Sequence, residues 1–385
     1  MARPETDLQG EVVALCGGLG LDLLLQGIAR QGYRLVGPTV RNGAIGVDVI
    51  DGAQDLPQGW TDQQAPGSYR ILRRDDQAYF GFSSPPGGWK RYLFPAHSVL
   101  WRSTTHGDGI EIKPASDDPG PTAFIGIRSC DLAAIEIQDR IFLSRGNPDP
   151  IYEARRENLL LIGVDCREPG PLCFCESMDC GPRADGADLR ITELGPDDPA
   201  THRFVVRAQT PLGSDVLAGS GIEKIDQSAR PVDMDDLAAD RFPSPADDCV
   251  PGRVVNTDRL AELLVAEAES PVWDDIAERC LACGNCTMVC PTCFCSDVDD
   301  LPVIPPGGQE RIRQWASCFE LDHSYIHGGS IRQSIKSRYR QWLTHKFSSW
   351  WDQFGSSGCV GCGRCIASCP VGIDVTESLA AIRDG

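Results

Sequence analysis

Two runs of cysteines in the last third of the chain have the residue types and the spacing for metal chemistry. Each run reads C-x2-C-x2-C-x3-C-P, and together they comprise Cys280, Cys283, Cys286 and Cys290, then Cys359, Cys362, Cys365 and Cys369. This is the spacing of a bacterial [4Fe–4S] ligand loop, in which three thiolates bind one cluster and the fourth cysteine binds the other. The sequence therefore predicts crossed ligand sets: Cys280, Cys283, Cys286 and Cys369 for one cluster, and Cys359, Cys362, Cys365 and Cys290 for the other.

Zinc binding is the alternative use of these cysteines. Structural zinc sites are usually built from separated C-x2-C pairs, whereas each run here places four cysteines within eleven residues. Two runs of identical spacing favour iron–sulfur chemistry over zinc. We therefore expect two [4Fe–4S] clusters as the cofactors of this chain.

The charge of the chain excludes some classes of partner. The 385 residues carry a formal net charge of −19, which is unsuited to binding nucleic acid or an anionic membrane surface. The sequence lacks the run of about 18 apolar residues that a membrane span needs, and its N-terminus lacks the apolar region of a secretory signal. We therefore expect a cytoplasmic protein whose 18 cysteines are cluster ligands and reduced thiols.

Residue patterns predict an α+β protein with three regions. Residues 1–120 form an N-terminal α/β region, and residues 121–256 form a βαβ-containing, cysteine-bearing region that ends, from about residue 211, in an acidic, proline-rich linker. Residues 257–385 form an α-helical two-cluster domain of ferredoxin-like character, with mostly helix between its two cysteine runs.

Some local elements can also be predicted. The continuous apolar runs Thr122–Ile127 and Leu159–Val164 are typical of buried parallel strands. Asp131 is expected to cap the helix that lies between them. Nearer the N-terminus, a hairpin is expected to pair residues 67–72 with residues 77–82.

A second group of cysteines follows the two predicted parallel strands. Its members are Cys130, Cys166, Cys173, Cys175 and Cys180. The carboxyl ends of neighbouring parallel strands lie at one edge of a sheet, so these thiols could converge. Two interpretations stay open: a third metal or iron–sulfur site that uses Cys130, Cys166, Cys173 and Cys175, or buried thiols without redox activity.

The sequence between the two runs holds further thiols and a group of positive charges. Cys293, Cys295 and Cys318 are expected to pack against the clusters rather than to bind them. Residues 323–351 contain no Asp or Glu but several Lys, Arg and His. Three roles are open for this basic segment: stabilising the negative charge of a cluster, docking an acidic partner, or forming an ordinary solvated helix face.

Several segments together resemble one family. They are Gly126–Ile137, Cys173–Met178, Cys280–Cys295, Thr344–Phe347 and Cys359–Val371. These segments resemble the β, or electron-transfer, subunits of cytosolic NAD(P)-linked [NiFe] hydrogenases, which are also called sulfhydrogenases, and the related A subunit of anaerobic sulfite reductase. The cluster motifs occur in many redox proteins, and the Arg-Ser-Cys-Asp-Leu and Cys-Phe-Cys segments make the resemblance more specific.

The resemblance implies a non-catalytic subunit that relays electrons through two [4Fe–4S] clusters. Its implied partners are a flavin-containing NAD(P)H diaphorase subunit and the small and large subunits of a [NiFe] hydrogenase, or the subunits of a sulfite reductase. Two other functions stay open: an oxidoreductase with its own third metal site, and a scaffold protein that senses redox state. The sequence does not separate the hydrogenase complex from the sulfite reductase complex.

Overall fold

The chain is α+β in the computed structural model, with sheets in its N-terminal part and helices around the cysteine runs in its C-terminal part. This confirms the predicted fold class. The structure describes residues 12–106, 109–115, 118–144, 146–222, 252–303 and 307–385. Within those residues, no helix is long and apolar enough to cross a membrane.

The strands are numbered in chain order. They are β1 (Val12–Cys16), β2 (Arg34–Arg41), β3 (Ala44–Val49), β4 (Trp60–Ala65), β5 (Ser68–Arg73), β6 (His97–His106), β7 (Gly109–Pro114), β8 (Thr122–Ile127), β9 (Leu159–Val164), β10 (Leu189–Leu194), β11 (Arg203–Ala208), β12 (Ser296–Pro302), β13 (Gly308–Trp315), β14 (Tyr325–Ile326) and β15 (Gly329–Ser330).

The helices fall into two groups, one on either side of residue 223. The first group comprises Gly17–Arg30, Lys90–Leu93, Ser129–Phe142, Pro150–Glu157 and Pro211–Gly219. The second group comprises Leu260–Ala266, Val272–Arg279, Asn285–Met288, Ile335–Thr344, Trp350–Phe354, Arg364–Ala367 and Val375–Asp384, with a π-helical stretch at His345–Ser349.

The largest sheet of the described residues has seven strands, in the order β1-β11-β10-β9-β8-β2-β3. Strands β2, β8, β9 and β10 run parallel, and the remaining pairings are antiparallel. Every residue of β8 and β9 is buried, which confirms the two predicted parallel strands, since a strand covered on both faces must be apolar throughout. The predicted boundary at residue 120 falls inside this sheet, because β2 pairs directly with β8.

A second sheet has the strand order β12-β13-β6-β7 within the described residues. It joins a hairpin from between the two cysteine runs to strands far earlier in the chain. The expectation of mostly helix between the runs is therefore wrong for this part. Strand β12 is mostly exposed and rich in aspartate, so its sequence lacks the apolar alternation by which a strand is predicted.

Two other local predictions are also wrong. The hairpin near the N-terminus joins β4 to β5 around Pro66-Gly67, because Gly67 adopts the left-handed conformation that a tight turn requires (φ +73°). The expected linker begins with the helix Pro211–Gly219, which Thr210 caps by accepting a hydrogen bond from the Gly213 N–H (3.1 Å). Residues 223–251 of the expected linker lie outside the described residues.

Asp131 does not cap its helix, contrary to the prediction. The helix begins at Ser129, so Asp131 lies inside its first turn. Its carboxylate accepts two hydrogen bonds from the Arg364 guanidinium, at 2.8 and 2.7 Å. Both side chains are almost fully buried, with 2% of the Arg364 side chain and 1% of the Asp131 side chain exposed. Arg364 also donates to the carbonyl of Pro85 (2.8 Å), so this ion pair joins the second cysteine run to the N-terminal part of the protein.

Replacing Asp131 by Asn tests how much this ion pair contributes to the stability of the protein. We expect Asp131→Asn to lower the free energy of unfolding by about 3–5 kcal/mol, because it leaves a buried guanidinium without a counter-charge. Asp48→Asn is the matched control, since Asp48 pairs with Arg41 at the surface, where a pair contributes up to about 1 kcal/mol. Urea unfolding followed by circular dichroism measures both variants. Equal losses in the two variants would contradict this role for Asp131.

Candidate iron–sulfur sites

The first cysteine run lines a cavity next to helix Asn285–Met288. The cysteines in its lining are Cys280, Cys283, Cys286, Cys365 and Cys369. The space measures about 460 Å³, counting the part open to solvent, which is many times the roughly 30 Å³ that one water molecule occupies. The four cysteines predicted for the first cluster therefore surround a space suited to a group of several atoms.

The second cysteine run lines a neighbouring cavity of about 390 Å³, again counting open space. The cysteines in its lining are Cys290, Cys359, Cys362 and Cys365. These are the four residues predicted for the second cluster, including Cys290 from the other run. Cys365 and Trp342 line both cavities, so the two candidate sites adjoin each other.

The geometry of the thiols fits a cluster better than a single ion. No three His, Cys, Asp or Glu side chains among the described residues are placed to hold one metal ion, whereas the cysteines of each run surround a cavity. Four thiolates around a space of this size are the donor set that a [4Fe–4S] cluster requires. The arrangement therefore favours the iron–sulfur interpretation over zinc.

The two runs repeat the same local backbone. The N–H of Ala282 donates to Cys280 Sγ, and the N–H of Gly361 donates to Cys359 Sγ, both at 3.4 Å. Gly284 and Gly363 follow in the left-handed conformation, at φ +75° and +73°. Each run then enters a short helix. Such N–H···S hydrogen bonds stabilise a thiolate and contribute to the reduction potential of a bound cluster.

Aromatic and aliphatic side chains form the remaining lining of the first cavity. Phe319, Tyr339 and Ile373 are buried there. The pKa values of the Cys280 and Cys286 thiols are raised mainly by burial. Leu281 and Cys283, by contrast, are exposed, Leu281 by 62%. One side of the first site is thus shielded from water and the other lies at the protein surface.

The second cavity is more deeply enclosed. Burial raises the pKa values of Cys359, Cys362 and Cys365, so without a bound group these thiols are protonated at neutral pH. Binding a metal cluster there must release their protons. The thiol of Cys290 differs, since a hydrogen bond from Cys293 outweighs burial and, with the charge of Lys346, lowers its pKa.

Lys346 supplies a buried positive charge beside the second site. Only 3% of its surface is exposed, and its ammonium group donates to Thr292 Oγ1 (3.0 Å) and to the carbonyl of Gly358 (3.1 Å). Burial opposes its charge, but Cys290, Cys293 and Cys359 outweigh that effect and raise its pKa. Of the three roles open for the basic segment, Lys346 therefore favours the stabilisation of negative charge at a cluster. The sequence pointed to the segment but not to this residue.

The N-terminal cysteines converge on the second run. The N–H of Phe174 donates to the carbonyl of Gly361 (2.7 Å), and the thiol of Cys173 contacts the carbonyl of Cys362 (3.8 Å). A side chain at Gly361 or Gly363 would come within 2.5 Å of the backbone of this N-terminal segment, so both positions require glycine.

The four thiols of the possible third site lie within electrostatic range of one another. Cys175 interacts with Cys130 and Cys166, and Cys173 interacts with Cys175 and Cys166. Burial raises the pKa of Cys175 to about 12, and it also raises the pKa values of Cys130 and Cys173. Without a bound metal these are neutral thiols, so the third site stays a prediction.

Comparison with known proteins adds to this geometry. Residues 279–373 match the family model of the 4Fe-4S dicluster domain. The chain is also 33% identical to "Sulfhydrogenase 2 subunit beta" of Pyrococcus furiosus over 276 residues, which are 70% of this chain and 76% of that protein. The chain belongs to the sulfhydrogenase β-subunit family. This confirms the resemblance, and the chain is an iron–sulfur electron-transfer subunit of the [4Fe–4S] type. No solved structure matches it.

The crossed ligand assignment can be tested by counting iron. Two clusters require about eight iron atoms per chain, and a third would raise the count to about twelve. We expect about eight in the wild type and about four in Cys369→Ser. Adding Cys283→Ser to that variant should remove no further iron, because both residues serve one cluster. Adding Cys362→Ser instead should remove the remaining iron.

The opposite pattern, in which Cys362→Ser adds nothing to Cys369→Ser, would show that each run binds its own cluster. Cys16→Ser is the control, because Cys16 is exposed and belongs to neither cavity. Its iron count should equal that of the wild type. Chemical iron analysis of protein purified without oxygen measures all of these variants.

The role of Lys346 can be tested by a redox titration. Lys346→Met keeps the apolar stem and removes the charge, so the reduction potential of the second site should fall by on the order of 100 mV, because a nearby cation favours the more negative, reduced state. Lys336→Met is the control, since Lys336 pairs with the exposed Asp274 (2.8 Å) and should change the potential little. Titration followed by electron paramagnetic resonance measures both variants, and a potential unchanged in Lys346→Met would contradict the role.

Proposed function

We propose that this chain relays electrons through two [4Fe–4S] clusters in a cytoplasmic hydrogenase complex. The partners in this proposal are a flavin-containing NAD(P)H diaphorase subunit on one side and a [NiFe] hydrogenase module of small and large subunits on the other. The observation that carries the proposal is the pair of adjoining cavities, each lined by the four cysteines that the crossed ligand sets require.

The protein residues would contribute binding, shielding and charge. The eight thiolates would hold the clusters, which when bound supply one-electron transfer. Phe319, Tyr339 and Trp342 would keep water from the inner side of the first site, and Trp342 also lines the second. Lys346 would balance negative charge at the second site. These are the means by which a protein sets the potential of a cluster.

The unequal exposure of the two sites indicates which of them a partner protein would approach. Cys283 and Leu281 lie at the surface, whereas the second cavity is enclosed by buried side chains, among them Phe174 and Arg364. A partner that docks over Leu281 would approach the first site most closely. We therefore place one electron-exchange surface around Leu281 and Cys283.

A sulfite reductase complex is the alternative setting for the same relay. The hydrogenase setting is favoured because the matched relative is named as a sulfhydrogenase subunit. In both settings the bond-making chemistry lies in the partner subunits, and this chain conducts electrons between them.

The relay is tested by separating the two half-reactions of the purified complex. We expect a complex that carries Cys369→Ser to lose hydrogen-driven reduction of NAD(P)⁺ by at least tenfold, because one step of the relay is missing. Hydrogen-driven reduction of a viologen dye should persist, and so should NAD(P)H-driven reduction of a dye, because each is carried out by a partner. A Cys16→Ser complex should retain all three activities.

Retention of hydrogen-driven NAD(P)⁺ reduction in the Cys369→Ser complex would contradict the relay. A wild-type complex that reduces sulfite but takes up no hydrogen would contradict the hydrogenase setting and support the alternative. The two outcomes are distinct, because the first concerns this chain and the second concerns its partners.

A further inference from the structure

An open cleft beside the two candidate sites contains a pair of thiols that the relay does not use. Its chemistry-bearing lining comprises Cys295, Cys318, His323, Arg332 and His345, with Phe294 and Trp342 among its apolar walls. The cleft measures about 1340 Å³ with its open space included. It is therefore large enough to admit a small organic molecule.

The hairpin of β12 and β13 brings the two thiols together. Cys295 directly precedes β12 and Cys318 follows β13, and the N–H of Ala316 donates to the carbonyl of Cys295 (3.0 Å). The Cys318 thiol and the His323 ring both hydrogen-bond to the sulfur of Cys295. Both cysteines are partly exposed, so a molecule in the cleft can reach them.

The surroundings of Cys295 favour its thiolate. Its pKa is lowered to about 4, first by the hydrogen bond from Cys318, against the opposing effect of burial, and then by His323. The pKa of Cys318 is raised by the same hydrogen bond. The pair therefore combines a thiolate with a protonated neighbour. The other charged or titratable groups that act on this pair are His345, Lys346 and Cys286. Asp297 and Glu320 act on His323, and Arg332 acts on His345.

Thiol–disulfide exchange suits this arrangement of groups. Exchange needs an accessible thiolate and a second thiol within reach, and the cleft provides both. The guanidinium of Arg332 in the same lining favours a substrate that carries a carboxylate.

We propose that Cys295 and Cys318 form a redox-active dithiol that reduces small, carboxylate-bearing organic disulfides bound in this cleft. The Cys295 thiolate attacks one sulfur of the substrate, so the substrate S–S bond breaks and one thiolate leaves. Cys318 then gives up its proton, attacks Cys295 and releases the second thiol. Two electrons have passed to the substrate, and Cys295 and Cys318 are joined by a disulfide.

Return to the dithiol takes two electrons and two protons. This half of the cycle rests on the proposed function, which delivers electrons to the adjoining candidate sites. The first half does not depend on it, because the reduced dithiol itself supplies the two electrons that the substrate receives.

The test measures exchange with the aromatic disulfide dithiobis(nitrobenzoate), which carries two carboxylates. The full chain, with its clusters and with reduced thiols, is mixed with this probe at about pH 6, where an ordinary thiol with a pKa of about 8.5 is mostly protonated. We expect a fast phase that releases two equivalents of thionitrobenzoate, and a Cys295–Cys318 disulfide in the peptide map. Cys16→Ser, which removes an exposed thiol elsewhere, should leave this phase unchanged.

Variants of the two cysteines distinguish the attacking thiolate, Cys295, from the second thiol, Cys318. Cys295→Ser should slow the fast phase at least tenfold, whereas Cys318→Ser should release one equivalent and retain the other half of the probe on Cys295. A fast phase that survives in Cys295→Ser, or two equivalents released by Cys318→Ser, would overturn the proposal. Iron content equal to the wild type shows that the clusters are intact in both variants. Because no partner or electron donor is present, failure of exchange would leave the relay untouched, and failure of the relay would leave exchange intact.

Discussion

The buried ion pair of Arg364 and Asp131 is the interaction on which the arrangement of the second site depends. Arg364 lies between Cys362 and Cys365 in the second run, and Asp131 lies in the first turn of the helix after β8. Charges removed from water are costly unless each is matched in position and hydrogen bonding. The two short hydrogen bonds between them and the one to Pro85 meet this requirement only when the cysteine run is seated against the N-terminal sheet.

The same constraint explains the distribution of charge in the interior. The protein is strongly acidic as a whole, yet two of the cations in its interior, Lys346 and Arg364, lie beside the second set of cysteines. Each is paired with thiols or with a carboxylate as well as with backbone carbonyls. A buried cation of this kind is tolerated because its neighbours become negative when the site is filled.

Much of the site could be predicted from the spacing of its cysteines. In two-cluster ferredoxins the fourth cysteine of such a run binds the other cluster, and the structure places Cys369 in the cavity of the first run and Cys290 in the cavity of the second. The buried strands β8 and β9 were predictable for a similar reason, since their apolar runs can be satisfied only inside a sheet. The order of strands and the joining of segments across residue 120 depend on contacts between distant residues, which no local pattern carries.

Other features were hidden because the meaning of a residue depends on what the fold places next to it. The sequence around Asp131 is typical of a helix cap, but in the fold Asp131 forms a buried ion pair with Arg364, which is distant in sequence. Cys295 and Cys318 are separated in sequence by the hairpin of β12 and β13. This hairpin could not be predicted, because the aspartate-rich sequence of β12 lacks the pattern of a strand. Gly361 and Gly363 look like ordinary loop residues, but they are where the Cys-Phe-Cys segment lies against the second run, backbone to backbone. Contact this close leaves no layer of side chains that could be remodelled independently on either side. The C-terminal part is therefore not a ferredoxin with a detachable partner domain, and a fragment beginning at residue 257 would uncover both a bare strip of main chain and an uncompensated arginine.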